Sequence, residues 1–125
     1  MSRSDQKVLV VDDQYGIRVL LKEVFSREGF QLYQAANGKT ALDIIRAEKP
    51  NLILLDMKMP GMDGLELLRN LKKEEIDAKV IMMTAYGELD MVEEASKLGA
   101  LSHFTKPFDI VELKEEVLRQ LTSSS

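Results

Sequence analysis

Residues 7–16 read KVLVVDDQYG: four consecutive apolar residues, Val8 to Val11, run directly into the acid pair Asp12 and Asp13. So short an apolar run, closed by acids, reads as a fully buried strand rather than as a helix. The acids then stand at the mouth of the core, where an unpartnered carboxylate is costly and two side by side repel each other. Whatever compensates them is tied to what the chain does.

Outward from this stretch the same kind of run recurs at Gln31–Ala35, Asn51–Leu55, Lys79–Met83 and Ser102–Thr105, each bounded by Gly, Pro, Asn or Asp. Gln31 and Gln34 dilute the second run, a composition that an edge strand tolerates. Between the strands lie segments of helical period. Ile17, Leu20, Leu21, Val24 and Phe25 mark a first helix, stopped by Gly29. Ala41, Leu42 and Ile45 mark a second, closed before Pro50; Leu65, Leu68 and Leu71 mark a third; Met91, Ala95 and Leu98 mark a fourth, ended by Gly99. Asp109 and Glu112 form a capping-box pattern that opens a fifth, carried by Leu113, Val117 and Leu121.

Five repeats of strand then helix predict an α/β fold, a doubly wound parallel sheet with helices on both faces and right-handed crossovers. One domain is expected over 1–125, with its core at about 7–121 and flexible ends at 1–6 and 122–125. Sheets of this kind bind ligands outside the carboxyl ends of their strands. Asp12 and Asp13 follow strand one, Asp56 follows strand three, Thr84 strand four and Lys106 strand five. All are predicted to gather at one edge.

Composition narrows the function. The net charge of −4, with both signs scattered along the chain, leaves no basic patch for nucleic acid. The absence of cysteine excludes disulfides and thiolate metal sites and fits a reducing compartment. No apolar run approaches a membrane span, and the polar opening MSRSDQ lacks a secretory segment. These features lead to the expectation of a cytoplasmic protein that binds neither nucleic acid nor membrane.

Taken singly, each candidate has an ordinary reading. Asp12 and Asp13 serve as turn or cap residues, Asp56 as a loop acid, Thr84 as a strand-end hydroxyl and Lys106 as a solvated amine. Together they do not. Three carboxylates at one edge repel unless a cation lies among them, and hard oxygen ligands without His or Cys suit Mg²⁺. Metal, ammonium and hydroxyl around one carboxylate describe a phosphoryl site, and a carboxylate can itself be the nucleophile.

The motifs VDD, LLDMKMPGMDG, MMTAYG and FTKPF, in this order and spacing, resemble the receiver domain of two-component response regulators over about residues 7–121. VDDQYGIR, AANG and TAYGELDM further resemble the stand-alone phosphorelay receivers of sporulation initiation. The resemblance implies a flavodoxin-like sheet of order 2-1-3-4-5 with five helices. It also implies that Asp56 is the phosphoacceptor and that Asp12, Asp13, Asp56 and the Lys58 backbone carbonyl surround Mg²⁺, for which Mn²⁺ or Ca²⁺ would substitute. Asp13 would ligate directly and Asp12 through water. Thr84 and Lys106 would bind phosphoryl oxygens, and the Lys106–Pro107 peptide would be cis.

Thr84 and His103 would form the switch. His103 departs from the family, which places Tyr or Phe there, and its plain reading is a half-buried strand histidine. Lys58 and Tyr86 would shield the phosphoryl group from water. Gln14, Gly16, Ile17, Leu20, Tyr86, Pro107 and Phe108 would form the partner surface, whereas Leu21, Val24 and Phe25 read as core.

Three functions remain open on these grounds. The first is a monomeric phosphoryl carrier between a sensor histidine kinase and a histidine phosphotransferase, with an aspartyl-phosphate phosphatase as a further partner. Such a carrier would have weak autophosphatase activity rather than enzymatic turnover. The second is a phosphorylation-dependent binding module. The third is a Mg²⁺-dependent phosphohydrolase, disfavoured because that class normally needs a second acid two residues after the nucleophile, where this chain has Lys58. The absence of an output domain after the receiver fits both of the first two.

Overall fold

The computed structural model describes residues 5–85 and 88–122. Its elements alternate strictly: β1 (Lys7–Val11), α1 (Tyr15–Arg27), β2 (Gln31–Ala35), α2 (Gly38–Glu48), β3 (Leu52–Asp56), α3 (Gly64–Lys73), β4 (Lys79–Thr84), α4 (Leu89–Lys97), β5 (Ser102–Thr105) and α5 (Ile110–Thr122). The five strands form one parallel sheet in the order β2-β1-β3-β4-β5. As the diluted sequence of β2 predicts, that strand is an edge; β5 is the other.

Strand periodicity divides the core in two. Val8, Val10, Leu52, Leu54, Ile81 and Met83 pack with Leu21 and Phe25 of α1 and with Leu113, Val117 and Leu121 of α5. Leu9, Val11, Ile53, Leu55, Val80 and Met82 face α2, α3 and α4 through Ala41, Ile45, Leu67, Leu68 and Ala95. The central strands are therefore apolar between their end residues, because both of their faces are covered.

Two strands have limits that differ from the sequence reading. β3 runs from Leu52 to Asp56 rather than from Asn51 to Leu55, and β4 extends to Thr84 rather than ending at Met83. Pairing of Asp56 with Met83 and of Thr84 with Thr105 carries the ladder through the polar residues. The site thus begins inside the sheet. Near the chain ends, Gln6 Nε2 donates to the Leu121 carbonyl, and α5 closes at Thr122.

The loop after β3 is held by a close approach. A Cβ on Gly64 would lie 2.8 Å from Met57 Cα, so only glycine lets α3 start against this segment. The Gly64 N–H donates to the Met57 carbonyl, and Asp63 caps α3 by accepting from Glu66 N.

Candidate functional site

Four strand ends deliver the site. Asp56 and Thr84 are the last residues of β3 and β4, and Lys106 follows β5. Asp12 still donates its backbone N–H to the Ala35 carbonyl, which continues the β1–β2 ladder by one residue. Asp13, Gln14, Asp56, Lys58, Ala85, Glu88 and Lys106 line an open cleft of about 380 Å³.

The acid pair has two fates. Asp12 is fully buried, whereas Asp13 is exposed on the cleft wall. The buried member is compensated by an ammonium: Lys106 Nζ lies 2.7 Å from Asp12 Oδ2. Asp12 Oδ1 accepts from Gln14 N at 2.8 Å, and Arg18 donates to the Asp12 backbone carbonyl at 2.7 Å. Hence the protein itself balances one of the two charges at the mouth of the core.

Asp56 is only 5% exposed. Its Oδ1 accepts from Lys58 N at 3.3 Å, and its Oδ2 lies 3.6 Å from Lys106 Nζ. Burial pushes its carboxyl up to about 6, and the charge of Asp12 pushes the same way, with Asp13 adding a smaller push. The Lys106 charge and the Lys58 N–H oppose this without cancelling it. Asp56 is therefore an acid whose anionic form is short of positive charge.

Asp12, Asp13 and Asp56 each offer a carboxylate oxygen, and these atoms lie within 4.8 Å of one another. An all-oxygen donor set of this size, around a carboxylate with an elevated pKa, fits a hard divalent cation. Thr84 is buried, with its hydroxyl 3.4 Å from the Thr105 hydroxyl.

His103 corrects the sequence reading. It is exposed rather than half-buried, because β5 is an edge strand and its alternation turns Ser102 and Phe104 inward instead. It lines a smaller cleft with Thr84, Glu88, Leu89 and Val92. Thr105, the last residue of β5, and Glu88 are neighbours of the site to which the sequence reading gives no role. Glu88 lies four residues beyond β4, where its Oε1 accepts from Ala85 N at 2.8 Å. The Lys106–Pro107 peptide is cis, in line with the resemblance.

On α1, Leu21 and Phe25 are buried, Ile17 and Val24 are half-buried, and Leu20 is 44% exposed. Tyr15 and Val19, absent from the predicted surface, extend the exposed apolar strip. Gly16 faces open space. Pro107 is exposed and Phe108 half-buried at the other rim. Tyr86 lies outside the described residues.

A parallel sheet of this order, with a buried acid at the end of its third strand and an acid–lysine pair beside it, defines a receiver. The model of the response regulator receiver domain family matches residues 8–118, and the chain belongs to that family. It is 58% identical to the sporulation initiation phosphotransferase F of Bacillus subtilis, over 97% of this chain and 98% of that protein. The regulatory protein AtoC of Escherichia coli is 39% identical over 95% of this chain, which spans only 26% of AtoC. Among solved structures, the receiver domain of the Francisella response regulator 1452 superposes with a TM-score of 0.88 at 34% identity, covering 96% of this chain and 99% of that one. A receiver domain protein from Clostridium thermocellum gives 0.87 at 28% identity, covering 94% and 95%.

Proposed function

We propose that this receiver is a phosphoryl carrier in a sporulation-initiation phosphorelay. It would take its group from a sensor histidine kinase onto Asp56 and hand it to a histidine phosphotransferase. The observation that carries this reading is the setting of Asp56: a buried carboxylate at an open cleft, 3.6 Å from the Lys106 ammonium and beside two further acids. The 58% identity to a protein named a phosphotransferase, across nearly the full length of both, favours a carrier over a binding module.

An Asp56 oxygen attacks the phosphorus of a phosphohistidine as the P–N bond breaks, and the electron pair leaves on the imidazole nitrogen. Lys106 and the Lys58 N–H are the donors beside Asp56, and the Thr84 hydroxyl, at the end of the neighbouring strand, would bind a further phosphoryl oxygen. Asp12 holds Lys106 in place through the 2.7 Å ion pair. Mg²⁺, held by Asp13, Asp56 and the Lys58 carbonyl with Asp12 acting through water, would neutralise charge on both the acids and the phosphoryl group. Return to a second histidine reverses the same steps.

The cleft rim supplies the docking surface: Ile17, Leu20 and Gly16 of α1 on one side, and Pro107 and Phe108 on the other. No helix among the described residues is long and apolar enough to cross a membrane, and we read the carrier as a cytoplasmic monomer. Labelled phosphotransfer from sensor kinases, followed by addition of a histidine phosphotransferase, tests the proposal. Label should reach Asp56 and leave it for the second histidine. Label that no histidine partner removes, with tight binding to another target, would make the chain a binding module.

A further inference from the structure

The side chain of Gln14 is turned away from the helix it opens. Gln14 is the N-cap of α1, yet it makes no side-chain cap. At the same position of α2 and α3, Asn37 and Asp63 each accept a backbone N–H of the first turn. Short polar side chains are favoured at N-caps because their oxygens reach those amides. Gln14 instead uses its Oε1 to accept from Lys106 Nζ at 3.1 Å, while its backbone N–H donates to Asp12 Oδ1 at 2.8 Å. One residue thus contacts both members of the Asp12–Lys106 ion pair.

An ammonium carries three N–H donors on a flexible four-carbon stem. A single contact with Asp12 would leave the head free to swivel about it. With Asp12 Oδ2 at 2.7 Å and Gln14 Oε1 at 3.1 Å, two donors are committed. The third is left for the side where Asp56 Oδ2 lies, 3.6 Å away.

We propose that Gln14 is a positioning residue for phosphoryl transfer: it forgoes the cap of α1 to orient Lys106, so that the ammonium presents one N–H to the group on Asp56. This rests on the reading of Asp56 as acceptor and Lys106 as phosphoryl ligand. It gives the β1–α1 junction a part in the chemistry distinct from docking, and it accounts for an uncapped helix beside a reactive site.

Phosphorylation by phosphoramidate at saturating Mg²⁺ separates the two roles, because so small a donor has no protein surface to dock. Gln14→Ser supplies a good cap and removes the lysine contact. It should raise the melting temperature by about 3 °C yet slow phosphorylation roughly five- to tenfold, the scale of one lost hydrogen bond. Gln14→Leu should slow it equally without the thermal gain. In a Lys106→Met background, Gln14→Ser should cause no further slowing, since its effect runs through the lysine. Unchanged rates in both Gln14 variants, or full slowing that persists without the lysine, would overturn the proposal. Asp56→Asn serves as the control. Label surviving in it would overturn the acceptor reading itself, whereas wild-type rates in the Gln14 variants overturn only the positioning role.

Discussion

Lys106 Nζ stands 2.7 Å from Asp12 Oδ2, although two strands of the sheet separate β1 from β5. Neighbouring strands lie about 4.8 Å apart, so the chain after β5 and the lysine stem together reach back over the ends of β4 and β3. The first and last loops of the carboxyl edge become one electrostatic unit, with Asp56 beneath it.

The elevated pKa of Asp56 makes stability depend on pH with a definite sign. In the folded protein its carboxyl titrates at about 6 rather than 3.8, so between these values the folded state holds the proton that the unfolded state has released. In metal-free buffer its contribution to stability therefore falls as pH rises from about 4 to about 6, then levels off. With allowance for solvent at the cleft mouth, the loss is on the order of 1–2 kcal/mol. Glu48, lowered first by its bond from Lys7, and Glu74, lowered first by Arg46, act in the opposite direction at lower pH. The difference between wild type and Asp56→Asn isolates the Asp56 contribution, and urea midpoints across pH 4–7 measure it. A difference that does not vary with pH would contradict the strained acid.

Lys106→Met strips the buried Asp12 carboxylate of its counter-charge. Removal of one partner from a buried pair costs about 2–4 kcal/mol at neutral pH, because the survivor is left uncompensated. The cost should largely vanish in Asp12→Asn/Lys106→Met, where no buried charge is left alone. Chemical denaturation of wild type and the two variants at pH 7 is the measurement. An equally large loss in the double variant would assign the damage to packing of the lysine stem.

Adjacent leucines on α1 should behave oppositely. Leu21 is fully buried, and Leu21→Ala should cost roughly 3 kcal/mol in stability. Leu20 is 44% exposed, so Leu20→Ala should cost well under about 1 kcal/mol while impairing phosphotransfer from the kinase. Melting curves paired with transfer rates check both. Normal transfer by the Leu20 variant would remove α1 from the docking surface.

Lifetime of the phosphoryl group tests the shielding role of the cleft wall. Lys58 is exposed there, two residues beyond Asp56, and we propose that its long side chain crowds the approach of water. Lys58→Asn substitutes an amide that can admit or orient a water. It should speed hydrolysis about tenfold, a change needing only about 1.4 kcal/mol in the barrier. Tyr86→Ala should act likewise. Release of acid-labile phosphate over time measures the effect, and equal lifetimes in all three proteins would refute it.

The sequence made the sheet and its site edge legible because the apolar runs are short, regularly spaced and closed by polar residues. The order of strands is not contained in that pattern and came from the resemblance. Polarity at Asp56 and Thr84 reads as the end of a strand, whereas the ladder continues through both residues. Nor does a DD pair announce which acid is buried. That depends on Lys106, 94 positions along, whose position only the folded chain defines. The side chain of Gln14 was invisible for a related reason: it abandons the local bond that propensity rules describe for one across the sheet edge. Exposure of His103 followed from the incomplete cover of an edge strand, which alternation alone does not reveal.

The Asp12–Lys106 contact also sets when the molecule first becomes competent. Asp56 ends β3 and so is made two strands ahead of the ammonium beside it, which follows β5. A nascent chain, or one whose β5 has detached, carries the nucleophile without the charge that steadies its neighbourhood. A chain whose last strand is out of register should therefore take up a phosphoryl group more slowly, which would tie loading of the signal to completed folding.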